Sequence, residues 1–163
     1  MKKSRYISAI VILLFLAACG AKAHAATVTI DGPEGFQLMS ALESMGVLVT
    51  YDNNNGFLME TSDVDCYQPV VPNPKAHCYV LDAVQSSEIF DDGTPSETVF
   101  AILKNNGAQY NDGSVGAVKV GLWQMSCYRG AYDQPTCSGQ TKGSEGLEGL
   151  EASGGAEASE NLP

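Results

Sequence analysis

The chain has 163 residues, with 19 acidic and 9 basic side chains and a formal net charge of −10 at pH 7. Nucleic acids are bound mainly through Lys and Arg on phosphates, so this composition argues against a nucleic-acid partner. It also disfavours adhesion to anionic lipid headgroups, so we expect contact with a membrane only through a lipid anchor.

The first 25 residues have the pattern of an export signal. Lys2, Lys3 and Arg5 precede an apolar stretch over residues 7–16, and small residues follow it. This is the order of a secretory signal peptide, and the stretch is too short to span a membrane. The sequence therefore predicts a bacterial protein that is periplasmic, secreted or held at the outer membrane.

Two cleavage sites compete within this leader. Leu16-Ala17-Ala18-Cys19 resembles the lipobox of bacterial lipoproteins, in which the cysteine becomes the lipidated first residue. The resemblance implies lipidation at Cys19, and Gly20 after it implies an outer-membrane address. Ala23-His24-Ala25 also fits ordinary signal peptidase, which would cleave after Ala25 and discard Cys19. Both alternatives stay open.

A strand, a helix and a hairpin are predicted over residues 27–78. Val28 and Ile30 form the strand, which ends at Asp31-Gly32. The helix that follows has one apolar face and ends at Gly46. Its apolar positions are Leu38, Met39, Ala41, Leu42 and Met45. Beyond Gly46 the apolar residues alternate on both sides of a turn at residues 53–56, which predicts a hairpin.

Residues 88–137 repeat this order. A strand at Ile89 and Phe90 is followed by Asp92-Gly93 and then by Thr94-Pro95-Ser96-Glu97. The last segment predicts a helix with Thr94 as its N-cap, a proline in the first turn and a capping-box glutamate. We expect this helix to end at Gly107, before a second hairpin.

The two halves align without a gap when the chain is shifted by 61 residues. The matched pairs are Asp31-Gly32 with Asp92-Gly93, Leu42 with Leu103, Gly46 with Gly107, and Cys66-Tyr67 with Cys127-Tyr128. Matches on glycines, cysteines and core positions predict an internal repeat of residues 27–78 and 88–137.

Cysteine parity fits this organisation. Beyond the leader there are four cysteines, Cys66, Cys78, Cys127 and Cys137. An even number in an exported protein predicts two disulfides and excludes thiol catalysis. Three pairings are possible. If each repeat closes its own proline-containing loop, the bonds are Cys66–Cys78 and Cys127–Cys137.

These elements predict an α+β fold. Two tandem strand-helix-hairpin repeats would form one antiparallel sheet with two helices on one face, and the two disulfide-tied loops would lie at one end. In layout this resembles the tandem-repeat secreted inhibitors of β-lactamase, which also duplicate an α/β unit with one disulfide each. The resemblance concerns layout alone and carries over no functional residue.

The composition changes near the C-terminus. Gly, Glu, Ser and Ala dominate residues 139–163, which contain no aromatic residue and five glutamates. Such a segment buries too little apolar surface to offset its ordering entropy. The sequence therefore predicts a folded domain over residues 27–138 and a disordered acidic tail over residues 139–163.

No catalytic or metal-binding motif stands out. His77 is the only histidine beyond the leader region, and no nucleophile motif accompanies it. Asp63 with Asp65, and Asp91 with Asp92, are candidate carboxylate pairs, although solvated turn residues are the expected reading. Residues 52–56 resemble the start of an EF-hand loop but lack its glutamate. We therefore expect no enzyme activity, no cofactor and no metal.

Aromatic residues near the cysteines are the remaining candidates. Tyr67 and Tyr128 stand at matched positions, Arg129 follows Tyr128, and Trp123 lies on the preceding strand. Tyr, Trp and Arg are the residue types that carry binding energy at protein interfaces. The alternative is that the tyrosines pack on their own disulfides and Trp123 lies in the core.

The sequence thus predicts an exported, non-enzymatic domain that binds an unidentified protein through its disulfide-tied loops. An inhibitor of an extracellular enzyme is one special case. A structural outer-membrane lipoprotein and a small hydrolase with an unrecognised site are the alternatives.

Overall fold

Residues 25–143 are the part of the chain that this computed structural model describes, and they form two helices and eight strands. The helices are α1 (Gly32–Met45) and α2 (Thr94–Asn105). The strands are β1 (Thr27–Ile30), β2 (Val49–Tyr51), β3 (Phe57–Pro69), β4 (His77–Asp82), β5 (Ser87–Asp91), β6 (Gln109–Tyr110), β7 (Ala117–Arg129) and β8 (Thr136–Thr141). The predicted export signal, Cys19 and the tail beyond residue 143 lie outside the described residues.

All eight strands belong to one antiparallel sheet. Its main order is β1-β8-β7-β3-β4-β5, and the short strands β2 and β6 pair with β3 and β7. The long strands β3 and β7 pair at the centre over most of their length. The predicted α+β class, the antiparallel sheet and the two helices are confirmed.

The core lies between the helices and one face of the sheet. Leu38 and Leu42 of α1 and Val99 and Leu103 of α2 are completely buried. They pack with the inward residues of β3, β4, β7 and β8, among them Val64. The apolar faces that the helical period predicted are therefore the faces that the fold buries.

Both helices end in a similar way. Gly46 follows α1 in the left-handed conformation, and its N–H donates to the Glu43 carbonyl, while Val47 donates to Leu42. At the end of α2, Gly107 also has a positive φ and donates to the Lys104 carbonyl, and Ala108 donates to Leu103. Glycine fits here because a left-handed residue with a Cβ is strained.

The start of α2 differs from the prediction. Thr94 is not the N-cap, and no side chain of the cap residue Gly93 closes the turn. The carboxylate of Asp91, still on strand β5, accepts the N–H groups of Gly93 and Ser96 instead. A residue outside the helix therefore satisfies these donors, and the predicted capping box is not formed.

The disulfides are the predicted local pairs, Cys66–Cys78 and Cys127–Cys137. Each joins directly opposite residues of neighbouring strands, and all four cysteines are buried on the helix side of the sheet. The sulfur of Cys78 lies by the Ser96 carbonyl of α2.

The two disulfide-tied loops lie at opposite ends of the sheet, so the prediction of one end was wrong. Because β3 and β7 are antiparallel neighbours, Pro69 at the end of β3 faces Ala117 at the start of β7. The loop over residues 70–76 follows β3 at that end. The loop over residues 130–135 follows β7 at the other end.

The predicted start of the tail at residue 139 was also wrong. Strand β8 continues to Thr141, and Gly139 is buried. It lies between β7 and β1, where Val28 pairs with Gly139 and Thr27 with Gln140. Main-chain pairing on both sides holds this polar, glycine-containing segment, which its composition does not reveal.

Candidate functional site

The sheet has one face that neither helix covers, and we call it the open face. Residues that alternate with the buried core positions point to it, since successive side chains of a strand lie on opposite sides. Trp123 of β7 and Tyr128 near its end are 39% and 41% exposed, and Tyr79 of β4 is 42% exposed. Exposed aromatic residues along one sheet face are unusual enough to mark it as a candidate binding surface.

Four aromatic side chains pack together on this face, and we call them the aromatic patch: Tyr67, His77, Tyr79 and Phe90. Tyr67 is directly opposite His77, and Tyr79 is directly opposite Phe90. The ring centres are 4.0 Å apart in the first pair and 4.8 Å in the second, and the two tyrosine rings are stacked at 6.1 Å. The strand register therefore builds the patch from cross-strand neighbours, and Phe90 at its edge is 54% exposed.

Beside the patch lies a second group, the lysine cluster: Lys142, Asp63, Asp65, Tyr110 and Trp123. The ammonium of Lys142 is 2.6 Å from Asp63 Oδ1 and 3.2 Å from Asp65 Oδ2. It also lies 4.2 Å from the centre of the Trp123 ring, and the Tyr110 hydroxyl donates to Asp65. Only 7% of Lys142 is exposed.

A glycine makes room for Lys142. A Cβ on Gly121 would lie 2.9 Å from Lys142 Cδ and 2.8 Å from the Val64 carbonyl oxygen. The Lys142 N–H donates to the Gly121 carbonyl, which holds the chain after β8 against β7. Gly121 therefore allows the lysine side chain to cross the open face towards the carboxylates.

The charges of the lysine cluster oppose catalytic use. Burial raises the pKa of Asp63, and Lys142 partly offsets this. Burial and the nearby Asp65 raise the pKa of Tyr110 far above its ordinary value, so its phenol stays protonated. An ammonium held between two carboxylates and an aromatic ring is neither a free nucleophile nor a free base. The cluster orders the middle of the open face.

Removing the charge of Lys142 tests this role. We expect Lys142→Met to lower the free energy of unfolding by about 1–3 kcal/mol, because two half-buried carboxylates lose their partner. Urea unfolding of the purified domain measures the change. The double variant Lys142→Met with Asp63→Asn should recover part of the loss. Lys142→Met with wild-type stability would show that the cluster is only a surface ion pair.

The predicted site residues do not form one surface. Tyr67, Trp123 and Tyr128 lie on strands of the open face rather than in loops. Tyr67 faces Lys119 and Tyr128 faces Leu58, nine residues further along β3. At about 3.3 Å per residue, roughly 30 Å separates the two tyrosines.

Tyr67, Trp123 and Tyr128 also fail the alternative reading. Each tyrosine follows a cysteine on its strand and so points away from its own disulfide, which faces the helices. Trp123 contacts Lys142 at the surface rather than the core. Tyr128 lies over the turn at residues 52–56, where a Cβ on Gly56 would be 2.5 Å from its hydroxyl oxygen. The first residue of that turn, Asp52, accepts the N–H groups of Asn54 and Gly56, so it closes the turn as predicted.

Arg129 lies on the opposite side of the sheet from Tyr128. Its guanidinium carbon is 5.6 Å from the ring centre of Phe36 on α1 and 5.7 Å from that of Phe57 on β3. Arg129 is therefore separated from the other predicted binding residues by the sheet.

Sequence reasoning left Phe90 and Lys142 out of the site. Phe90 was assigned to a strand, but its neighbours across the sheet are not visible in the sequence. Lys142 was assigned to the tail. His77 was considered only as a catalytic base, whereas it packs its ring on Tyr67.

Metal binding and membrane crossing were also examined. Within residues 25–143 no three His, Cys, Asp or Glu side chains are grouped so that they could hold a metal ion. Asp63 and Asp65 have Lys142 between them. Neither helix of the described segment is long and apolar enough to cross a membrane.

No protein-family model, curated protein or solved structure matches the chain. The layout resemblance to the β-lactamase inhibitors accordingly gains no support from the comparisons.

Proposed function

We propose that this chain is an exported, non-enzymatic domain that binds another protein through the open face of its sheet. The observation that carries the proposal is the aromatic patch. Its rings are in mutual contact, yet Tyr79 and Phe90 keep about half of their surface exposed. Aromatic side chains in such positions supply much of the binding energy at protein interfaces.

The patch is well ordered before binding. Its residues stand on β3, β4 and β5, and the Cys66–Cys78 bond joins two of these strands next to Tyr67 and His77. Side chains that are already packed lose little conformational freedom when a partner covers them. This supports the open face as the binding surface, in place of the disulfide-tied loops, which lie at opposite ends of the sheet.

The charge of the domain indicates the chemistry of the partner. Glu88 lies two residues from Phe90 on the same strand, Asp65 is opposite Tyr79, and Asp92 follows β5. Beyond the leader the chain has six cations against 19 acids. A protein with an apolar centre and a basic rim complements this surface, and its association rate should fall as salt screens the charges.

Two substitutions in the patch test the proposal. We expect Tyr79→Ser with Phe90→Ser to weaken binding to a partner captured from envelope extracts, and then purified, by at least about 100-fold. Each lost aromatic anchor costs about 2 kcal/mol or less, and 1.4 kcal/mol is a factor of ten. Isothermal titration measures the affinity.

The matched control is Tyr132→Ser, since this loop tyrosine is fully exposed and lies away from the patch. It should bind like the wild type. Equal binding by the patch variant and the control, with both folded by circular dichroism, would contradict the proposal. It would favour a structural lipoprotein, whose role does not need the patch.

We also propose that the protein is exported and that its N-terminus decides between anchored and free partners. Mass spectrometry of the mature protein distinguishes the two cleavage sites. An acylated Cys19 start gives an outer-membrane lipoprotein, and an unmodified Ala26 start gives a periplasmic or secreted protein.

We further propose that the domain arose by duplication of a strand-helix-hairpin unit. The matching helix ends described above support this, as does the register of the central strands. Met59 pairs with Cys127 and Cys66 with Val120, and a shift of 61 residues converts each pair into the other.

The proposed units exchange their first strands. Ile30 of β1 pairs with Cys137 of β8, and Asp91 of β5 pairs with Cys78 of β4. Residues 30 and 91 are themselves 61 positions apart. Each first strand therefore completes the hairpin of the other unit, which makes the two units depend on each other for folding.

A further inference from the structure

A groove lies on the helix side of the sheet, between α1 and the strands β2 and β3, and we call it the helix-strand groove. Its volume is about 480 Å³, within the range of small-molecule sites in proteins. Apolar side chains from all three elements line it, among them Phe36, Met39, Val49 and Phe57. Arg129 lies at the groove too.

Arg129 has no acidic partner in the described part of the chain. No carboxylate of residues 25–143 lies within 4.0 Å of its guanidinium, although the chain is rich in acids. The rings of Phe36 and Phe57 contact it instead. A guanidinium next to aromatic rings keeps its donors available for a planar anion, which it binds through two parallel hydrogen bonds.

We propose that the helix-strand groove binds a small apolar molecule with a single carboxylate, such as a medium-chain fatty acid. The carboxylate binds to Arg129, and the chain lies against the apolar lining. Charge complementarity selects the anion, since Arg129 is the cation of this groove and is otherwise unpaired in the described residues.

The second charged residue at the groove limits the ligand to one carboxylate. Glu43 lies seven residues after Phe36 on α1, about 10 Å further along the helix axis. A ligand with a second negative charge at that end would be repelled. An uncharged hydrocarbon end fits beside Met39 and Val49.

Binding of decanoate, below its micelle concentration, tests the inference. We expect saturable binding by isothermal titration, at one site for each protein molecule, and at least tenfold weaker binding of decanol, which lacks the carboxylate. We expect a similar loss of decanoate affinity in Arg129→Gln, because a charge-assisted pair of hydrogen bonds is removed. Amide chemical shifts of Gly46 and Val47 should move on titration.

The matched control is Lys104→Gln, which removes a cation that lies on the Phe100 ring of α2, away from the groove. It should bind decanoate like the wild type. Absence of saturable binding, equal affinity for decanol, or unchanged affinity in a folded Arg129→Gln protein would each overturn the inference. Because the groove and the aromatic patch are on opposite sides of the sheet, these results do not depend on the proposed protein partner.

Discussion

Replacing Asp82 by alanine is expected to lower the free energy of unfolding by about 3 kcal/mol. Its side chain is completely buried at the end of β4. The carboxylate accepts backbone N–H groups from Leu48 at 2.7 Å and from Val84 and Gln85 at 2.8 Å each. Removal leaves three donors without their acceptor, and each such loss costs about 1–3 kcal/mol where water does not reach it.

The effect should depend on pH. Burial of Asp82 opposes ionisation, but the hydrogen bonds from Gln85, Leu48 and Val84 outweigh it and hold the pKa below its ordinary value. The stability that the carboxylate contributes is therefore full above pH about 4, the pKa in an unfolded chain. It is lost as the pH falls through the lowered pKa of the folded state.

Urea unfolding at pH 7 and at pH 3 checks both statements. The difference between wild type and Asp82→Ala should be largest at pH 7 and smaller at pH 3. Asp92→Asn is the control, because this exposed neighbour should change stability by less than about 0.5 kcal/mol. An Asp82→Ala protein as stable as the wild type at pH 7 would mean that the three N–H groups find water instead.

Truncating the buried leucine of either helix is expected to have a comparable effect. We expect Leu42→Ala and Leu103→Ala each to cost about 2–5 kcal/mol, because both side chains are completely buried in one core. If the two units are equivalent, the two losses should agree within about 1 kcal/mol. Thermal or urea unfolding with matched buffers measures them.

Leu48→Ala is the control for the two leucines, since this residue is 40% exposed. Its substitution should cost less than about 1 kcal/mol. A large loss for only one of the two core leucines would contradict the equivalence of the units. It would leave the α+β fold itself untouched.

The sequence predicts the local elements of this fold well. The apolar period of Leu38 and Leu42, the left-handed glycine at residue 46 and the spacing of the cysteines act over short stretches of chain. Such signals are set by helix geometry, backbone strain and loop closure. They predict the helices and the disulfide pairing correctly.

The order of the strands could not be predicted in the same way. The antiparallel pairing of β3 with β7 and the pairing of β1 with β8 depend on contacts between distant residues. The sequence therefore placed both disulfide-tied loops at one end and ended the domain before Gly139. Both errors come from long-range pairing that leaves no local pattern.

The candidate site was predicted only in part for the same reason. Tyr67 and Trp123 were selected by residue type and do lie on the open face. Phe90 and Tyr79 form the patch because β4 and β5 are in register. Arg129, although next to Tyr128 in sequence, points to the other side, because neighbouring residues of a strand alternate between the faces.

Site-specific photo-crosslinking in cells that export the protein tests the central proposal most directly. A photoreactive phenylalanine would replace Tyr79 or Phe90 in the patch, or the fully exposed Tyr132 and Val115 in loops as controls. We predict adducts with one common partner protein from positions 79 and 90, and none with it from positions 132 and 115. Adducts with that protein only from the loop positions, adducts only with a second copy of this chain, or no adduct at position 79 or 90 would contradict the assignment of the open face as the binding surface.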